Sequence, residues 1–133
     1  MESKQSKNSS PRVKVIQKLY NSLMNPDSLI EYPKSQYKKF IKDVVTGTLE
    51  RSNLIEEKID KLLTNDIDLK KTDKLLKIIL FAAIFELMFK HGTPKKVIIN
   101  DYLLASEHFL EKIQTGYLNA ILDKIAKELR KDE

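Results

Sequence analysis

Between Leu75 and Phe89 the chain runs for fifteen residues with only two polar side chains, Lys77 and Glu86. This stretch constrains the fold more than any other. It is shorter than the about 20 apolar residues that a membrane-spanning helix requires, and its two charges interrupt it. A helix on the surface of a globular protein keeps one face polar, and this stretch has no such face. The pattern predicts a central helix enclosed by other helices, whose walls the rest of the chain must supply. Glu86 sits near the end of that helix. A buried carboxylate costs on the order of several kcal/mol unless it is paired, so Glu86 needs a partner or a route to water.

The walls can be read from apolar periodicity. Val13, Ile16, Leu19, Tyr20 and Leu23 recur at helical spacing. Ser10-Pro11 reads as a cap followed by proline at the first helical position, and Asn25-Pro26-Asp27 stops the helix near Met24. Tyr37, Phe40, Ile41, Val44, Val45 and Leu49 form a second stripe. Gly47 lies inside that stripe, where it costs about 1 kcal/mol relative to alanine, which marks a close helix–helix approach or a local boundary. A third helix is expected through Leu54, Ile55, Ile59, Leu62 and Leu63, with Ser52 or Asn53 as cap and Asn53/Glu56 at capping-box spacing. Thr72 or Asp73 should open the central helix and His91-Gly92 should close it, with Gly92 in a left-handed cap. Thr93-Pro94 repeats the opening device of Ser10-Pro11. The final helix, capped by Thr115, carries Tyr117, Leu118, Ile121, Leu122, Ile125, Ala126 and Leu129. No segment alternates with period two for long enough to predict a strand, so the fold class is all-α.

Composition narrows the functional classes. A chain of 133 residues fits one domain with one core; residues 1–9 read as a flexible basic arm and 10–133 as a single helical domain. With no cysteine, disulfides and thiolate chemistry are excluded, and the chain reads as a soluble cytoplasmic protein without a signal peptide. Two histidines and three scattered glycines provide neither a zinc set nor a phosphate loop. Glu107-His108 with Glu111 places a single metal-like pair on one helix face, where a di-metal bundle needs that motif twice; a solvated charged face explains it. No cofactor or metal is expected, and no catalytic constellation is present.

Binding is better represented than catalysis. Met1 to Met24 carry Lys4, Lys7, Arg12, Lys14 and Lys18 against Glu2 alone, a cationic edge of the kind that holds a polyanion. Because Val13, Ile16 and Leu19 occupy the apolar side of that helix, Arg12, Lys14 and Lys18 are expected to face outward. Tyr20 and Tyr117 serve either as core-edge residues or as stacking platforms for unpaired bases. Lys95 and Lys96 stand in the first turn of a helix and oppose its dipole.

Three blocks carry a family pattern. Ile79-Leu80-Phe81-Ala82-Ala83-Ile84-Phe85-Glu86-Leu87, Pro94-Lys95-Lys96-Val97-Ile98-Ile99-Asn100-Asp101 and Tyr117-Leu118-Asn119-Ala120-Ile121-Leu122-Asp123-Lys124-Ile125 resemble, in order and spacing, conserved phrases of the NusB family of bacterial transcription antitermination factors. Gln17-Lys18-Leu19-Tyr20 and Val44-Val45-Thr46-Gly47 resemble two more. The resemblance implies a compact fold of about seven helices in two subdomains. It implies a non-catalytic adaptor that binds single-stranded, boxA-type leader RNA of ribosomal RNA transcripts, together with NusE, a small-subunit ribosomal protein, within the RNA polymerase antitermination complex. It matches Arg12 to the amino-terminal arginine patch and Tyr117 to the aromatic beside the RNA path, and puts Lys77 on the helix associated with NusE contact. Together with the cationic edge, RNA contacts are expected at Lys4, Lys7, Arg12, Lys14, Lys18 and Tyr117 and protein-partner contacts at Lys77 and Phe81.

The chain also departs from the pattern. Asn8-Ser9-Ser10 stand where the family has an arginine run, Phe81 replaces a central-helix arginine, and Ala120 replaces a glycine. Arginine offers a bidentate phosphate fork that lysine lacks, so RNA affinity should be weaker and shared with the partner. The competing reading is a helical domain that binds NusE with little or no RNA affinity. A similar helical domain also precedes a ribosomal RNA cytosine methyltransferase, but no cofactor-binding domain lies between Met1 and Glu133, and a catalytic role is not expected.

Overall fold

The computed structural model describes residues 10–133, which form six α-helices, one short 3-10 turn and no strand. The helices are α1 (Pro11–Met24), α2 (Lys38–Glu50), α3 (Ser52–Leu62), α4 (Lys74–Phe89), α5 (Lys95–Ser106) and α6 (Lys112–Leu129), with the 3-10 turn at Leu69–Lys71 before α4. The all-α class holds; where about seven helices were expected, the described residues form six and this turn. Lys4 and Lys7 lie outside the described residues. No helix among the described residues is long and apolar enough to cross a membrane.

The greasy stretch is α4, and it packs against each of the other five α-helices. Every residue from Ile79 to Leu87 is buried. Val15 and Ile16 of α1, Val44 and Val45 of α2, Ile55 of α3, Ile98 and Tyr102 of α5, and Leu118 and Leu122 of α6 complete the core. The walls also pack on one another, α1 against α2 and α5 against α6, so the apolar stripes are shared between the central helix and its neighbours.

The helix ends show how local chemistry was redistributed. Asp73 opens α4, its carboxylate accepting from the backbone N–H groups of Leu75 and Leu76 at 3.0 and 3.2 Å. Arg51, rather than Ser52 or Asn53, occupies the cap position of α3, and no side chain caps it. Glu111, rather than Thr115, caps α6, and its box partner is Gln114, whose Oε1 accepts from the Glu111 N–H at 3.0 Å. Pro94 is the cap of α5 and Lys95 its first residue, one position later than Thr93-Pro94 suggested.

The C-terminus of α4 differs most from expectation. Gly92 is not in the left-handed region. Instead the buried Arg130, arriving from the end of α6, donates to the carbonyls of Leu87 (2.6 Å), Lys90 (3.1 Å), Thr93 (3.1 Å) and Glu86 (3.3 Å). One guanidinium therefore satisfies the orphan carbonyls that a left-handed glycine turn would otherwise serve. The His91 imidazole adds a hydrogen bond to Met88 O at 2.7 Å. Glu133 accepts from the Lys95 N–H at 2.8 Å and also pairs with Arg130. Its carboxylate supplies the negative charge that the lysine-bearing start of α5 lacks, and those two contacts hold its pKa below the usual range, the Lys95 hydrogen bond being the larger.

Gly47 of α2 faces the ring of Phe85, and a methyl group there would overlap the ring at Cζ and Cε1. The glycine is a packing requirement, since overpacking of this kind costs about 1–3 kcal/mol. Gly47→Ala is therefore expected to destabilise the protein by about that amount in urea unfolding, whereas Gly116→Ala, with open space at the site, should leave stability equal or higher.

Candidate functional site

Glu86 finds its partner in Arg12. The guanidinium grips the carboxylate with both ends of its fork, Nη2 to Oε1 at 2.7 Å and Nε to Oε2 at 3.0 Å, while its remaining Nη1 donates to Asp101 Oδ2 at 2.9 Å. The Tyr102 hydroxyl donates to Glu86 Oε2 at 2.5 Å. The rings of Phe40 and Tyr102 lie 4.9 and 5.5 Å from the guanidinium carbon. Arg12 is only 8% exposed and Glu86 is fully buried. Burial by itself lowers the Arg12 pKa, but the hydrogen bond and charge of Glu86, with Tyr102 and Asp101 behind them, outweigh it and the pKa rises. Burial, then the neighbouring carboxylate, holds the Tyr102 hydroxyl well above its usual range.

This geometry corrects the expectation that Arg12 faces outward. Its position beside Val13 does not turn it to solvent, because a buried carboxylate across the α1–α4 contact claims it. Arg12 ties α1, α4 and α5 together and keeps little exposed surface, at the edge of a small hollow lined also by Ser10, Asp101 and His108.

Lys14 and Lys18 remain as the cations of α1. Both are half-buried, and both line a cleft of about 220 Å³ completed by Gln17, Tyr32, Pro33, Lys34, Ser35, Lys38 and Ile41. The Lys18 ammonium sits over the Tyr32 ring, 5.7 Å from its centre. Lys34 and Lys38 were not anticipated as site residues. Their spacing of four, just past Pro33, was the available signal, obscured because the α1–α2 connection has no periodicity of its own.

Tyr117 is 42% exposed and points elsewhere. Its hydroxyl donates to Asp66 O at 2.6 Å, and Lys124, also on α6, pairs with the Asp66 carboxylate at 2.7 Å. Tyr117 therefore fastens α6 to the loop after α3 and is not among the residues lining the Lys14/Lys18 cleft. Tyr20 lines a different hollow, beside Lys70, Lys71 and the start of α4.

Lys77 and Phe81 fall on one surface. With Leu19, Leu23, Pro26, Leu49, Lys74 and Ile78 they line an apolar groove of about 410 Å³ between α1, α2 and α4. The Lys77 ammonium lies 5.8 Å from the centre of the Phe81 ring. Thr48 also lines the groove, and its buried hydroxyl has no hydrogen-bond partner. No cluster of three or more metal-binding side chains occurs among the described residues.

A family model described as the NusB family matches residues 4–127. Transcription antitermination protein NusB of Rickettsia massiliae (strain Mtu5) is 34% identical over 122 residues, covering 86% of this chain and 76% of that protein. NusB of Rhodopseudomonas palustris (strain ATCC BAA-98 / CGA009) is 34% identical over 94 residues, covering 71% of this chain and 54% of that protein. NusB of Rickettsia akari (strain Hartford) is 41% identical over 90 residues, covering 68% of this chain and 58% of that protein. Against the Rhodopseudomonas relatives the chain spans about half of their length.

Removing either Arg12 or Glu86 alone leaves an uncompensated buried charge. Arg12→Ala and Glu86→Ala should each lose about 3–5 kcal/mol in urea unfolding, and the double exchange Arg12→Met/Glu86→Leu should lose less than either. A surface arginine would behave otherwise, Arg12→Ala shifting stability by no more than about 0.5 kcal/mol.

Proposed function

Since this chain belongs to the NusB family, we propose that it is a non-catalytic transcription antitermination adaptor, binding single-stranded boxA-type leader RNA of ribosomal RNA transcripts jointly with NusE. The observation that carries the RNA half of this reading is the pair of half-buried lysines, Lys14 and Lys18, on the outer side of α1. They stand four residues apart, where like charges repel by a few tenths of a kcal/mol, and neither forms an ion pair among the described residues. A phosphate strand relieves both the repulsion and the incomplete solvation.

The protein half rests on the groove around Lys77 and Phe81. An apolar trough bordered by two lysines and holding an unpartnered hydroxyl suits a protein segment with apolar side chains and a carboxylate. Groove and lysine row share α1, so a single adaptor can hold RNA and protein side by side. The role of Tyr117 in this reading is an additional RNA contact on α6, separate from the α1 edge.

The withdrawal of Arg12 from the surface favours one alternative, a NusE-binding domain with little RNA affinity. A salt titration separates the two. With about 3 or 4 phosphates neutralised, log K for a boxA-type oligonucleotide should fall against log salt with a slope of about −2 to −3, and NusE should tighten the complex. An adaptor without RNA affinity shows a NusE complex and no salt-dependent RNA binding. Lys77→Glu should weaken NusE association at least about tenfold in calorimetry while leaving RNA binding by the free chain unchanged.

A further inference from the structure

The cleft between α1 and the segment leading into α2 contains more positive charge than the fold can explain. Four lysines, the half-buried Lys14 and Lys18 and the exposed Lys34 and Lys38, line a space of about 220 Å³. None of the four forms an ion pair among the described residues. Asp43 pairs with Lys39 and Lys90, and Glu31, which lines one hollow together with Lys18, forms no ion pair with it. The same cleft receives the start of α2, where Lys38 and Lys39 occupy the first turn, no acidic side chain is present and Tyr37 provides no side-chain cap. Cations at the positive end of a helix are unfavourable unless an anion joins them. The Tyr32 ring lies 5.7 Å from the Lys18 ammonium, within cation–π reach, and both residues line the cleft.

We propose that this cleft is a phosphate-binding subsite for the backbone of an unpaired RNA strand, with Lys14, Lys18, Lys34 and Lys38 as its cations and Tyr32 as the ring that positions Lys18. The proposal rests on the RNA-adaptor reading and extends it to two residues, Lys34 and Lys38, that lie beyond α1. Lysines are point charges, suited to successive single charges along a phosphodiester rather than to one bidentate group. An acidic protein segment is the less suitable occupant, because the apolar groove that would anchor one is elsewhere, around Lys77 and Phe81.

Fluorescence anisotropy of the full chain with a labelled single-stranded boxA-type RNA, repeated across a potassium chloride series, tests this. Lys34→Ala/Lys38→Ala should weaken binding on the order of tenfold at about 0.1 M salt and flatten the log–log slope by about 0.7 to 1.4, one to two phosphate contacts on a single strand. Lys61→Ala/Lys127→Ala removes the same charge from α3 and α6, outside the cleft, and should change neither. Both pairs are exposed, and unchanged thermal unfolding will show that the fold survives. Equal weakening by the two double variants, or no effect of Lys34→Ala/Lys38→Ala, overturns the subsite while leaving RNA binding intact. Displacement of the RNA by polyglutamate as readily as by unlabelled RNA also overturns it. If the wild-type chain binds no RNA, the adaptor reading fails and the subsite with it.

Discussion

The bidentate pair between Arg12 and Glu86 is the constraint on which the arrangement depends. Glu86 sits in the one helix that is apolar on all sides, so its charge has no solvated exit. Desolvating two such ions is expensive, and the attraction between them repays it only when every polar atom is satisfied. Here both carboxylate oxygens are used by Arg12 and one again by Tyr102, while the remaining guanidinium arm reaches Asp101. Three helices, α1, α4 and α5, are consequently fixed relative to one another by one network. An apolar contact would tolerate small slips along the helix; a fork–fork pair does not.

The two candidate binding surfaces follow from that registration. Once Arg12 is directed inward at the start of α1, Lys14 and Lys18 fall on the side facing the segment before α2, where Tyr32, Lys34 and Lys38 meet them. Leu19 and Leu23, further along the same helix, border the groove that contains Lys77 and Phe81. Gly47 lets α2 lie close enough to Phe85 to form the opposite wall. A charged cleft and an apolar groove therefore lie along one helix.

Much of the architecture was legible because hydrophobic period dominates in a helical protein. The α1 limits, Pro11 to Met24, and the enclosure of α4 are written in apolar spacing and in Ser10-Pro11 and Asp73. The need for a Glu86 partner was legible too, but not its identity, because Arg12 is 74 positions away in the chain and nothing local couples them. Position alone could not show that a residue flanked by Val13 would turn inward. Caps were the weaker readings for the same reason: Glu111 and Arg130 act through side-chain reach, which residue preference at a cap does not encode. Lys34 and Lys38 lie in or beside an aperiodic connection, and only the folded chain brings them to Lys14 and Lys18.

A single NMR titration reaches the central claim, that the arginine of α1 is internal and its lysines are the outward charge. Side-chain Nε resonances of arginine and Nζ resonances of lysine would be followed while single-stranded boxA-type RNA is added to the isotope-labelled chain. With the network as described, the Arg12 Nε–H is protected from exchange and keeps its position, while Lys14, Lys18, Lys34 and Lys38 shift together. An Arg12 Nε–H that exchanges freely and shifts most on RNA addition would place that guanidinium on the surface and contradict the whole arrangement.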